Sequence, residues 1–206
     1  MLKKYFFIIS IFSLCFAGNC SNTIEVENLD YEYIKNHIDN LEYTYEDALV
    51  AKLDTLKRLS RMKVEKILEE VITNPKDIRQ LRESVFYAGI LELDGLNNII
   101  SNIKSYDLFL LQNKYFYYYK INKDKQKNLQ YLKFFCDISG MDPGNANVPP
   151  SIHAAMYGTI YLLGWIFEEE ILEYLKSLDS SKLDGGLSET YHESIERIKF
   201  MLKKNN

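Results

Sequence analysis

The sequence predicts an all-α protein, a right-handed stack of antiparallel helix pairs with about nine or ten helices in all. Three observations predict it. The stretch 47–103 is written twice: slid by 32 residues, Leu49, Leu53, Leu56 and Leu59 fall on Leu81, Val85, Ala88 and Leu91. In the second half of each copy, Val64, Ile67, Leu68 and Val71 fall on Leu96, Ile99, Ile100 and Ile103, the 0, 3, 4, 7 stripe of a half-buried helix. Only 4 prolines and 9 glycines punctuate the 206 residues, and no Gly/Ser tract occurs, so composition shows no disorder away from the ends.

The 47% apolar and 26% charged fractions are those of one soluble globular domain. The 25 basic and 29 acidic residues give a net charge of −4. Without Lys3 and Lys4, 23 basic residues face 29 acidic ones and the balance is −6. Nucleic-acid binding needs a positive surface that displaces counterions from phosphates, which argues against a nucleic-acid partner. The 16 tyrosines against one tryptophan fit an AT-rich genome and carry no weight by themselves.

Residues 1–19 have the layout of a signal peptide. Lys3 and Lys4 form a positive n-region before an apolar core, Tyr5 to Ala17, that is shorter than the roughly 20 residues a spanning helix needs. Only Ser10 and Ser13 interrupt the core, so it has no polar face for a buried amphipathic helix. Cys15-Phe16-Ala17 suits an ordinary signal peptidase. Alternatively, Ala17-Gly18-Asn19-Cys20 resembles the lipoprotein box of bacterial lipoproteins, with Asn19 as an insertion, and the resemblance implies a lipid on Cys20. Either way the chain is expected to be exported to the periplasm or cell envelope, with the membrane touched only through such an anchor. If Cys20 carries no lipid, an oxidising compartment allows a Cys20–Cys136 bridge. No spacing matches a zinc or redox motif, and no metal or cofactor is expected.

Residues 20–28 read as a tether and 29–206 as a single helical-repeat domain. The first helix spans about 30–41, with Tyr31, Ile34, Ile38 and Leu41 on one face. Thr44 and Asp47 form a capping-box pattern for the next, which carries Leu49, Leu53 and Leu56. Lys57, Arg58 and Arg61 crowd its end, where cations complement the helix dipole. Asn74-Pro75 stops the following helix, Asp77 caps another, and Asp94-Gly95 turns the chain inside the second unit. A third unit places its first helix at about 107–121 and its turn at Asn122 to Lys125. Its second helix carries Tyr131, Leu132 and Phe135, with Asn128 at the first apolar position.

Residues 139–151 interrupt the pattern with three of the four prolines, as a functional loop or an insertion. Ser151 is then expected to cap a fourth pair. Tyr157, Ile160 and Leu163 match Val85, Ala88 and Leu91 at an offset of 72, and Ile171, Leu172 and Leu175 match Ile99, Ile100 and Ile103. Ser188 is expected to cap a last helix bearing Ile195, Ile198, Phe200 and Leu202.

Leu81 to Ile103 and Ala154 to Leu175, supported by Leu49 to Val71, resemble the HEAT family of helical repeats. The resemblance covers about two-thirds of the chain, rests on aliphatic spacing without an invariant polar residue, and implies an α-solenoid with an extended binding surface. An irregular helical bundle satisfies the same stripes.

The chemistry-bearing residues form no catalytic motif. His37, His153 and His192 fall on different helices, with no second ligand at i+3 or i+4. Cys136 has Asp137 beside it, the wrong charge for an activated thiol. Glu168-Glu169-Glu170 suits the first turn of a helix. Tyr115-Phe116-Tyr117-Tyr118-Tyr119 is the least ordinary run, because five consecutive aromatics point all round a helix and cannot all enter one core. Tyr115, Tyr117, Tyr118 and Tyr119 are therefore the candidate partner-binding residues, with half core and half composition bias as the bland alternative. The expected function is that of an exported, non-catalytic protein-binding module, an envelope scaffold or adaptor. The acidic surface suits a basic protein partner, and an immunity protein that neutralises a secreted toxin is one alternative. An enzyme with a pocket near 139–151 bearing His153 is the other.

Overall fold

Capped starts and left-handed stops mark out ten α-helices among the described residues, which are 29–41, 46–137 and 150–205 of the computed structural model. They are α1 (Tyr31–Asp39), α2 (Glu46–Lys57), α3 (Arg61–Thr73), α4 (Ile78–Ile90) and α5 (Asn97–Asn102). After these come α6 (Leu108–Lys120), α7 (Lys125–Asp137), α8 (Pro150–Leu163), α9 (Glu169–Ser177) and α10 (Gly185–Asn205). No strand occurs among the described residues, so the fold is all-α.

The carboxylates of Asp30, Asp77 and Asp107 each accept the backbone N–H three residues on, at 2.8 Å, and so start α1, α4 and α6. The ends of α4 and α6 are alike. Glu92 and Asn122 turn into the left-handed region at φ 56° and 60°. The following residues, Leu93 and Lys123, donate back to Ala88 O and Tyr118 O at 3.0 and 2.9 Å, a Schellman closure in both cases.

The 32-residue repeat is a repeat of burial. Leu49, Leu53, Leu56 and Leu59 are buried, and so are Leu81, Val85, Ala88 and Leu91; Val64 and Leu68 are buried with Leu96 and Ile100. Every second helix packs in a row, α4 on α6, α6 on α8 and α8 on α10. Two glycines allow close approach in that row. A Cβ on Gly89 would come within 2.8 Å of the Phe116 ring, and one on Gly164 within 3.0 Å of Ser194 Cα. The last helix does not simply end the row, because α10 also packs against α2. One hydrophobic core runs from Leu29 to Met201.

Several local expectations differ from the structure. α10 begins at Gly185 rather than after Ser188, because Asp184 is an equally good cap and accepts the Leu187 N–H at 3.3 Å. α8 begins at Pro150, ahead of Ser151, since a missing N–H costs nothing in a first turn. Tyr131 and Tyr157, assigned to the apolar stripe, are 40% and 43% exposed. On α7 the buried face is instead Asn128, Leu129, Leu132 and Cys136. Asn128 is buried there because its Nδ2 donates to the carbonyls of Lys123 and Asp124 at 2.7 and 3.2 Å, bracing the turn before its own helix. The expected cap at Thr44 and the bulk of the 139–151 segment lie outside the described residues, as do the signal peptide, the tether and Cys20.

Candidate functional site

An aromatic groove crosses the row of first helices where α4, α6 and α8 meet. α4 brings Arg82 and Phe86, α6 brings Phe109, Gln112 and Asn113, and α8 brings Tyr157, Gly158, Tyr161 and Leu162. The helical period explains the selection: 82 and 86, 109 and 113, 157 and 161 are each one turn apart, so each helix turns one stripe into the groove. The groove encloses about 270 Å³. In its wall Tyr157 stays 43% exposed.

Its walls are held from behind. Phe86 packs against the rings of Phe116, Tyr161 and Trp165, at 5.6, 5.7 and 6.4 Å between centroids. Arg82 Nε donates to Asp107 Oδ1 at 2.7 Å, a second bond joins its Nη2 to Oδ2, and the guanidinium lies 5.0 Å from the centre of the Phe109 ring. The Arg82 bond holds the Asp107 carboxyl below the usual carboxylate range. Asn113 Nδ2 donates to Arg82 O at 2.9 Å. At the floor, Gln112 is 1% exposed and its Nε2 donates to Ala155 O at 2.6 Å and Thr159 Oγ1 at 2.8 Å. Its Oε1 is buried without a hydrogen-bond partner.

A second cavity, also about 270 Å³, opens where α4, α6 and α8 end. Its charges are largely matched internally. Glu92 takes Lys57 at 3.7 Å and Lys120 at 3.1 Å, while Glu168 takes Lys125 and the Tyr119 hydroxyl, each at 2.9 Å.

The tyrosines singled out in the sequence do not share one surface. Tyr117 and Tyr119 are buried, their hydroxyls donating to Leu93 O and Glu168 Oε2 at 2.9 Å, and burial raises both hydroxyls above their ordinary range. Tyr115 and Tyr118 are half-buried. Tyr115 stacks on exposed Tyr131 at 4.6 Å, and Tyr118 lies under Lys123 at 4.8 Å. Of the four, only Tyr115 and Tyr118 retain surface for a partner.

The histidines are dispersed. His37 Nδ1 donates to Tyr33 O at 2.9 Å, and His192 lies exposed beside Tyr191. His153 Nε2 lies 2.8 Å from Asp184 Oδ2. Such a pair can orient an imidazole, but no serine, threonine or cysteine is hydrogen-bonded to it among the described residues. Cys136 is buried, and burial pushes its thiol up to about 12, far from the thiolate a nucleophile needs. Glu169 and Glu170 occupy the exposed first turn of α9. No group of three metal-ligating side chains occurs among the described residues, and no helix among them is long and apolar enough to cross a membrane.

The groove itself was not legible in the sequence, since its stripes come from segments far apart in the chain. Gln112 carried no distinguishing signal, because it is the first of three consecutive polar residues, Gln112-Asn113-Lys114, on α6. Comparisons with protein-family models, curated proteins and solved structures find no match for this chain.

Proposed function

We propose that this chain is an exported, non-catalytic protein-binding module of HEAT-like helical-repeat type, a scaffold or adaptor of the cell envelope. The groove across α4, α6 and α8 is the face it offers to a partner. The observation that carries this reading is an aromatic groove left open at the surface with Tyr157 exposed in its wall, because exposed apolar surface in such a groove marks an interaction site. Rigid helices hold its walls, so little ordering entropy opposes binding. An immunity protein against a secreted toxin is the same reading with a different partner.

The test uses the full chain, tagged at its C-terminus and expressed in its own cell, with Tyr157→Glu as the control. Envelope material captured by each is compared by mass spectrometry. A partner that saturates the wild-type chain and is lost with Tyr157→Glu supports the reading, and its identity separates scaffold from immunity protein. Capture that is equal with both chains removes the groove as the binding face.

A further inference from the structure

The second cavity forms where α10 closes on α2, and its own residues leave its charges incompletely matched. α2 brings Asp54 and Lys57, the ends of α4 and α6 bring Glu92 and Lys120, the segment after α8 brings Phe167, and α10 brings Met201. Two ammoniums share one carboxylate there, since Lys57 and Lys120 both face Glu92, at 3.7 and 3.1 Å. Glu168, also in the lining, is answered by Lys125 at 2.9 Å. The Asp54 carboxylate has no ion-pair or hydrogen-bond partner among the described residues. The lining therefore carries one surplus positive charge at the two lysines and one surplus negative charge at Asp54. These groups stand open at the mouth: Asp54 is exposed, and the side chains of Lys57 and Glu92 are 52% and 42% exposed. Leu53, Ile90 and Met201 lie buried behind them.

We propose that this cavity binds a free α-amino acid with an apolar side chain. Its ammonium meets Asp54, its carboxylate meets Lys57 and Lys120, and its side chain rests on Phe167 and Met201. The site is separate from the groove and stands whether or not the groove holds a protein partner. Charge selects the ligand class. A monocation would leave the surplus of the lysines unanswered, a monoanion would leave Asp54, and a neutral polyol would leave both; a zwitterion answers both. Spacing narrows the class. Asp54 and Lys57 are one turn apart on α2, about 5–6 Å between Cβ atoms, which suits charges on neighbouring carbons rather than at the two ends of a long molecule. The volume, about 270 Å³, is just below the roughly 300–1,000 Å³ of drug-sized sites and suits a molecule of this size. Glu92 adds an independent mark. It keeps a left-handed φ of 56°, where glycine sits without strain, and strained residues cluster at functional sites.

The test titrates the full chain with L-leucine and with its two half-charged analogues, isopentylamine, which lacks the carboxylate, and isocaproate, which lacks the amine. D-glucose serves as the neutral polyol. Binding is read by amide NMR and by the fluorescence of Trp165, which lines the cavity. Leucine is expected to bind at least about tenfold tighter than either analogue, the worth of one charge-assisted hydrogen bond. Asp54→Asn should weaken leucine about tenfold and leave isocaproate no weaker, whereas Lys57→Gln should weaken leucine and leave isopentylamine no weaker. That crossed pattern separates lost contacts from a damaged fold; if a variant weakens every ligand alike, the comparison of analogues on the wild-type chain decides. Equal affinity for leucine and either analogue overturns the zwitterion, and D-glucose binding tighter than leucine overturns the ligand class. No response to leucine up to about 10 mM overturns the site. Tyr157→Glu, which alters the groove, should leave leucine binding unchanged, and its loss there would overturn the assignment to this cavity.

Discussion

Among five consecutive aromatics on one helix, the neighbours of each ring decide its role. Tyr117 points inward and donates to Leu93 O at 2.9 Å, whereas Tyr115 lies half-exposed on Tyr131. Tyr117→Phe removes one of two donors to Leu93 O, which also accepts the Leu96 N–H at 3.3 Å, and should cost about 0.5–1.5 kcal/mol in urea unfolding. Tyr115→Phe should stay within about 0.5 kcal/mol, and equal costs would place both rings in one environment. The buried hydroxyls also set the response to base. Burial raises Tyr87, Tyr117, Tyr119 and Tyr174 above 10.0, and raises Cys136 from 9.0 to about 12. A group whose folded value is raised contributes stability that is whole below the unfolded value and is lost above it, as the unfolded chain releases protons the folded chain retains. Unfolding free energy measured from pH 7 to 11 should fall once the pH passes about 9. A flat profile to pH 11 would contradict the burial of these groups. Asp107, held low by Arg82, acts in the opposite sense: its contribution is present above 3.8 and is lost as the pH falls through its folded value.

Helix boundaries divide into those written in the sequence and those that are not. The cap at Asp77 was legible, because a short carboxylate before an apolar stripe has one obvious use, whereas Asp107 fell inside the expected helix and proved to be its cap. The left-handed stop at Glu92 was not legible, since glutamate has no preference for that region. Its backbone costs about 1–2 kcal/mol, and its side chain offsets part of this through Lys57 and Lys120 on a half-exposed surface. Surface pairs contribute about 0–1 kcal/mol, so Glu92→Gly should stabilise the chain by up to about 1 kcal/mol, more so in high salt where the lost pairs are screened. A destabilised variant in 1 M salt would mean that the carboxylate does more than these contacts show. The repeat was legible for the same reason as the cap at Asp77: its equivalent positions face one core. Tyr131 and Tyr157 escaped that logic because a stripe of spacing 3 and 4 fixes a face only to within about one residue. Composition does not tell a tyrosine at the edge of that face from one at its centre. The groove lay further out of reach, because Arg82, Phe109 and Tyr157 meet only after three helices have packed.

A stack in which each helix pair touches only its neighbours unfolds piecemeal, since its stability is a sum of local terms. In this molecule α4, α6, α8 and α10 pack in a row, yet Phe86 of α4 also reaches Tyr161 of α8 and α10 also packs on α2, a contact that joins the last helix to an early one. The closure passes close to the only tryptophan. Trp165 is buried at the exit of α8, with Phe86 of α4 at 6.4 Å and Arg197 of α10 stacked on its ring at 4.3 Å. Its fluorescence therefore reports on the closed core, while far-UV circular dichroism reports on all helices together. If the α10–α2 contact makes one cooperative unit, the two signals should give coincident urea transitions with a single midpoint. Removal of residues 185–205 should then abolish the transition rather than shorten it, because the deletion strips Ser194 from Ile160 O and Arg197 from Trp165 as well as the cover of α2. Loss of the tryptophan signal ahead of the helical signal would show that the row behaves as an open stack and that the closing contact adds little.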